Sequence, residues 1–320
     1  MNAYIEIESL RSLISQRNDE RYDECLRMLK RNLNLNFSFS KAEAMADPVV
    51  QNWIVGLTSG AIAPKPKWDS EYPDPSYELT LDNITVDKLC AIYLLDDETP
   101  QHLASAMLVG YRGHELETLW QLYVRPERQK YDYELNPEQI SSWKNISTFL
   151  APCTDILISD RYILSNNSLL NRNLYQIIIS LVKKTKHLPI NIVLFVERDH
   201  IGPGVDLNIV SETIKQKVEE FVEKEPNVTF VLCKKHRKQP FHDRLILTNY
   251  RAIKSGDSFN YFNGNGDVIT TGFGISIKSL ANDCCYVQDT VIETYCKLLK
   301  KDLPYAIVQG DKKSNFLSFR

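Results

Sequence analysis

The sequence predicts an α/β fold, in which a mixed helical and α/β N-terminal region precedes a layered α/β C-terminal half. Three observations predict it. From residue 155 onward, short apolar runs alternate with amphipathic stretches, the pattern of strands joined by helices. Hydrophobic residues make up 43% and charged residues 25% of the 320 positions, which excludes a disordered, collagenous or low-complexity chain. The formal charge of -3 hides an asymmetry: residues 1–150 sum to -8 and residues 151–320 to +5. The basic half is therefore where an anionic partner would bind. A chain of this length accommodates about two domains and needs no disulfide staples.

Residues 8–35 read as helices. Leu10, Leu13 and Ile14 recur at helical spacing, and Tyr22, Cys25, Leu26 and Leu29 do so again. Asp19 is placed to cap the second helix, and Ser40 precedes a further short one, followed by Pro48 and Trp53. PKPKWDSEYPDPSYE (64–78) reads as an exposed loop. CAIYLL (90–95) and TLWQLYV (118–124) read as strands. Asp96-Asp97-Glu98 follows the first of these as a charged turn, and YDYELNPEQISS (131–142) reads as a linker. Residues 1–140 form an accessory region with no function legible in their residues.

The C-terminal half has a clear rhythm. DILISDRYIL (155–164) is expected as a strand and SLLNRNLYQIIISLVKKTK (168–186) as a helix. INIVLFVE (190–197) is a strand with a nearly continuous apolar run, and LNIVSETIKQKVEEFVEKE (207–225) is a helix ended by Pro226 and Asn227. NVTFVLCKK (227–235) and HDRLILTNY (242–250) are strands, NGNGD (263–267) is a hairpin turn of the I′ kind, and DTVIETYCKLLKK (289–301) is a last helix. Residues 306–320 read as a tail. SDRYILSN (159–166) and HDRLILTN (242–249) resemble each other, and both are expected to bring polar residues to one sheet end, where ligands bind in open α/β sheets.

Seven cysteines at irregular spacings, with no C-x-x-C pair, point to reduced thiols and a cytoplasmic protein. His102, His114, His187 and His200 lie on separate segments without ligand spacing, so no metal and no cofactor are expected. No run approaches the ~18 apolar residues of a membrane span.

The chemistry concentrates in CKKHRKQPFHDRLILTNYRAIKSGDSFNYF (233–262). On a strand, residues i and i+2 face the same side, so His242 and Arg244 can share one pocket. An arginine fork suits phosphate, and a histidine suits nucleophilic or acid–base work near neutral pH. The basic run Lys234, Lys235, His236, Arg237 and Lys238 precedes this pair directly. Phe241, Tyr250, Phe259, Tyr261 and Phe262 interleave it, either as core or as stacking platforms.

The spacing His242-x-Arg244-x4-Asn249-x6-Gly256 resembles the phospholipase D superfamily signature H-x-K-x4-D-x6-G. It differs in having Arg244 for lysine and Asn249 for aspartate, and Asp257-Ser258-Phe259-Asn260 where G-S/T-x-N continues. Residues 150–305 are more similar to the phospholipase D-like domain at the C-terminus of MIT-domain proteins. The likeness rests on Asp160 and Tyr162, on the run His242-Asp243-Arg244-x4-Asn249, and on Gly256 followed by Tyr261 and Phe262. That resemblance implies a phospholipase D-like layered domain with a phosphate-binding site. It places His242, Arg244 and Asn249 at the centre, with Asp160, Tyr162, Asp243 and Gly256 around the ligand; the adjoining basic run adds Lys234, Lys235, Arg237 and Lys238.

Three functions remain open. The first is binding of a phosphate-rich ligand, either nucleic acid or an acidic membrane surface. The second is a metal-independent phosphodiesterase or nuclease that works through a phosphohistidine; with one motif per chain, its second histidine comes from a homodimer mate or from elsewhere in the chain. The third is a non-catalytic scaffold whose acidic N-terminal region recruits a protein partner.

Overall fold

The computed structural model describes residues 2–58, 66–71, 91–96, 110–111, 133–135, 141–144, 155–182, 190–222, 224–234, 244–248, 251–269, 274–279, 305–314 and 319. The chain forms two compact units. One comprises Met1–Tyr77, Thr85–Tyr131 and Ser279–Gln288; the other comprises Glu78–Ile84, Asp132–Lys278 and Asp289–Arg320.

In the first unit, β1 (Asn2–Ile5) leads into α1 (Ile7–Ser15) and α2 (Glu20–Asn32), then β2 (Asn34–Phe37), α3 (Lys41–Ala46), α4 (Pro48–Thr58), β3 (Ala91–Leu94) and β4 (Gly110–Tyr111). The strands pair in parallel in the order β2-β1-β3-β4. Asp19 caps α2 by accepting from the Arg21 N–H at 2.9 Å. Ser40 and Glu43 cap α3 reciprocally. α1 buries Leu10, Leu13 and Ile14.

Two expectations are corrected here. The end of the stretch read as helix is β2, in which Asn34 and Asn36 alternate with Leu35 and Phe37; at four residues the alternation is too short to outweigh the helical pattern before it. The stretch 64–78 is not open loop at Lys67, which bridges Asn36 and exchanges backbone hydrogen bonds with Leu35 and Phe37. Trp68 packs beside Phe37 and Phe39 there.

The second unit contains β5 (Tyr133–Leu135), β6 (Asp155–Ser159), α5 (Asn167–Leu170), α6 (Leu174–Leu181), β7 (Asn191–Glu197), α7 (Leu207–Glu219), β8 (Asn227–Cys233), β9 (Arg244–Thr248), β10 (Arg251–Ser255), β11 (Ile275–Ser279) and β12 (Ile307–Gly310). They build one mixed sheet in the order β12-β8-β7-β6-β9-β10-β11-β5. β6, β7 and β8 are parallel, and β9 returns antiparallel against β6. Every residue of β6 and β7 is buried, so both faces are covered, as the continuous apolar run of β7 predicts. The core joins Ile156, Leu194 and Phe230 of the strands to Ile178 of α6 and Ile214 of α7. The chain is therefore an α/β protein with a mixed sheet.

Here too the structure corrects the sequence. Residues 133–135, read as linker, form an edge strand against β11, and 307–310, read as tail, form the opposite edge strand against β8. The single helix expected over 168–186 is two, because the wholly buried Asn173 turns its amide to other work. It donates to the Leu169 and Phe262 carbonyls at 3.0 and 2.8 Å and accepts from the Phe262 N–H and the Trp143 indole at 3.0 and 3.3 Å. α7 stops at Glu219, well before Pro226. The strand expected over 155–164 stops at Ser159. The turn at 263–267 closes with Gly266 at φ +94°, but Asn265 keeps a negative φ, so it is not type I′.

Cys25 and Cys233 are buried. Among the described residues no helix is long and apolar enough to cross a membrane. TLWQLYV (118–124), the helix expected over 289–301, Phe241 and Tyr250 lie outside the described residues. Phe259, Tyr261 and Phe262 belong to the core.

Candidate functional site at the carboxyl end of the mixed sheet

Register brings the basic residues together. β6, β7 and β8 all finish at one sheet end, at Ser159, Glu197 and Cys233. β9 starts at that end, where Ser159 pairs with Leu245, and β10 finishes there, where Ser255 pairs with Arg244. Asp160, Arg161, Tyr162, Glu197, Lys234, Arg244 and Gly256 thus converge from five strands on the edge where open α/β sheets receive ligands.

Asp160 builds this end rather than lining it. It was expected beside the ligand, yet it is only 2% exposed and both its oxygens are occupied. Oδ1 accepts from the Tyr162 N–H at 2.9 Å, which turns the chain out of β6 and explains why the strand ends there. Oδ2 accepts from the Ser258 hydroxyl at 2.8 Å and the Phe259 N–H at 2.7 Å, tying the loop after β10 to the loop after β6. Burial pushes the Asp160 carboxyl above the usual carboxylate range; the Tyr162 and Phe259 N–H groups, Ser258 and the charge of Arg244 pull the other way. Asn260 completes the seam by donating to the Tyr162 carbonyl at 2.6 Å. The departure from G-S/T-x-N noted in the sequence is therefore a working stretch: Ser258 holds Asp160 and Asn260 holds the backbone of Tyr162.

Gly202 holds the loop after β7 against the same turn. Its N–H donates to the Leu164 carbonyl at 2.9 Å, and a Cβ at this position would fall on the Ser165 carbonyl.

Above this frame stands the half-buried ring of Tyr162. The Arg244 guanidinium lies 6.0 Å from the ring centroid and donates through a terminal nitrogen to the Gly256 carbonyl at 2.8 Å. The Arg161 guanidinium lies 5.7 Å from the same centroid, and the His200 ring lies 4.4 Å away. Glu197 Oε2 is 3.7 Å from Arg161 and 3.6 Å from His200 Nε2. Lys234 is exposed one residue past β8.

Of the residues selected from the sequence, Arg244, Tyr162, Gly256 and Lys234 meet at this end, with Asp160 beneath them. His242, Asp243, Asn249, Lys235, Arg237 and Lys238 lie outside the described residues. The sequence reading missed Arg161, Glu197 and His200. Arg161 carried a signal, since it occupies the place in SDRYILSN that Arg244 occupies in HDRLILTN. Among the described residues, no group of three or more His, Cys, Asp or Glu side chains could hold a metal ion.

A scan against protein-family models finds no family that matches this chain. A search of curated proteins finds no match either.

A guanidinium steadied by a carbonyl and an aromatic face, at the carboxyl end of parallel strands, is suited to binding an oxyanion.

Proposed function

We propose that this chain binds a phosphodiester or another phosphate-rich ligand, nucleic acid or an acidic headgroup, through the carboxyl end of its mixed sheet. The observation that carries the reading is the fixed guanidinium of Arg244 beside Tyr162. Lys234, and the basic run it begins, add long-range attraction. The reading agrees with the resemblance of residues 150–305 to phospholipase D-like domains, which places Arg244 on phosphate.

The test uses the full chain with fluorescent single-stranded oligonucleotides, phosphatidylserine vesicles and inorganic phosphate. Wild-type binding should weaken steeply between 50 and 200 mM salt, and Arg244→Ala should lower affinity by about tenfold or more. Failure of the wild type to bind any of the three would overturn the reading. Metal-free cleavage of an oligonucleotide that disappears in His242→Ala would extend it from binding to turnover.

A further inference from the structure

Arg161 is oddly placed for a structural residue. Its side chain is 14% exposed, its Nε is buried, and it forms no side-chain hydrogen bond among the described residues. Its acidic neighbour Glu197 is 7% exposed and has one oxygen, Oε1, without a hydrogen-bond partner among the described residues. The other oxygen stands 3.7 Å from Arg161 and 3.6 Å from His200, both beyond hydrogen-bonding reach. An arginine–carboxylate pair kept for stability closes into a short two-pronged fork, because a buried charge left half-satisfied is costly. Among the described residues that cost is left standing, at the sheet end that gathers Arg244 and Lys234. Arg161 also lies over the same ring as Arg244, and it is the counterpart of Arg244 in the paired segments SDRYILSN and HDRLILTN.

We infer that Arg161 and Arg244 are the two jaws of a clamp across Tyr162 that takes two adjacent phosphates of one ligand, as in a pyrophosphate or two successive phosphodiesters. The inference rests on the phosphate reading of this site and deepens it, because it names the ligand class. Glu197 is the internal counter-charge. It holds Arg161 loosely while no ligand is bound, and His200, on the same oxygen, stays beside it when Arg161 swings to the ligand. Each guanidinium takes its own phosphate, with the Tyr162 ring beside both.

Calorimetric titration of the full chain with inorganic phosphate and with pyrophosphate tests this. Wild type should bind pyrophosphate about tenfold more tightly than phosphate. Arg161→Ala should remove most of that preference, whereas Arg244→Ala should weaken both ligands. Arg161→Lys keeps the charge without the fork and should fall between wild type and Arg161→Ala. Glu197→Gln removes the counter-charge and should tighten pyrophosphate several-fold. Circular dichroism reports whether each variant folds; if Arg161→Ala does not, Arg161→Lys and Glu197→Gln carry the test. A wild type that binds both ligands equally, or an Arg161→Lys variant with the full wild-type preference, overturns the clamp and leaves the phosphate reading intact. A wild type that binds neither overturns the clamp, and if it also fails to bind the oligonucleotides and vesicles the phosphate reading falls with it.

Discussion

The sheets of the two units each contain parallel strands that finish at one end, and the two ends have opposite chemistry. In the first unit, Asp96 follows β3 and accepts from the N–H groups of Ser9 at 2.6 Å and Glu8 at 3.3 Å. The donors at the start of α1 are consumed, and the Glu6 carboxylate takes the N–H of Asp96 in return. Asp96 was expected in an exposed charged turn; it is half-buried instead, and burial pushes its carboxyl upward. In the second unit, Asp160 follows β6 and also binds backbone donors, but it does so fully buried beneath the end, and cations stand above it. Both acids satisfy orphan N–H groups. The shallower acid closes its sheet end together with Glu6, whereas the deeper one lies beneath Arg161 and Arg244. This gives the charge asymmetry of the sequence a location.

The sharpest way to break this comparison is to remove each acid. Asp160→Ala strands a buried N–H group, a part-buried one and a buried hydroxyl, and should cost about 3 kcal/mol or more, since each buried donor left without a partner costs about 1–3 kcal/mol. Asp96→Ala removes a helix cap from a half-buried position and should cost about 1 kcal/mol. Urea unfolding followed by circular dichroism measures both. Equal losses would show that depth does not separate the two ends.

What could be read from the sequence divides along the same line. The caps at Asp19 and Ser40, the buried run of β7 and the amphipathic faces of α1 and α7 were legible because each is local, set by spacing over one or two turns. β1, β2, β5 and β12 were not. They are three or four residues long, and their partners are distant in sequence, so pairing rather than pattern makes them strands. The break at Asn173 was hidden because its partners, Phe262 and Trp143, are far along the chain. In the site, Arg244, Tyr162 and Asp160 stood out through motif spacing, but motif spacing does not separate a residue that holds the frame from one that meets the ligand. Glu197 and His200 left no mark, since a single acid at the end of an apolar strand looks like an ordinary terminator.

A smaller effect, of opposite sign in the two units, should appear in the pH dependence of stability. Asp47 in the first unit caps α4 through the Val50 and Val49 N–H groups and pairs with Arg11, and these hold its carboxyl below the usual range. Its contribution is present above the ordinary carboxylate value and is lost as pH falls through the lower, folded value. Asp160 is raised by burial, so its contribution is complete in acid and is lost as pH rises from the ordinary carboxylate value through the folded one. Asp47→Asn should therefore flatten the acid limb of the stability profile, and Asp160→Asn should flatten the fall above it. Unfolding measured across pH 2 to 8, a span that brackets ordinary carboxylates, separates the two. Identical profiles for the two variants would mean that the acids share one environment.

The smallest expected effect tests whether the first unit owes its order to local signals. Ser40 accepts from the Glu43 N–H at 3.2 Å, and the Glu43 carboxylate accepts from the Ser40 N–H at 2.7 Å. Ser40→Ala breaks one arm of this box and leaves the other, because the backbone donor remains. The cost should be about 0.5–1 kcal/mol, below that of Asp96→Ala. In the second unit, Asn166 caps α5 with its side chain alone, accepting from the Ser168 N–H at 2.9 Å. Asn166→Ala therefore leaves no second arm and should cost somewhat more than Ser40→Ala, even though α5 is only four residues long. A larger loss for Ser40→Ala would mean that α3 depends on its cap and α5 on packing through the buried Leu170. That would make the first unit the one held together locally and the second the one held by its core.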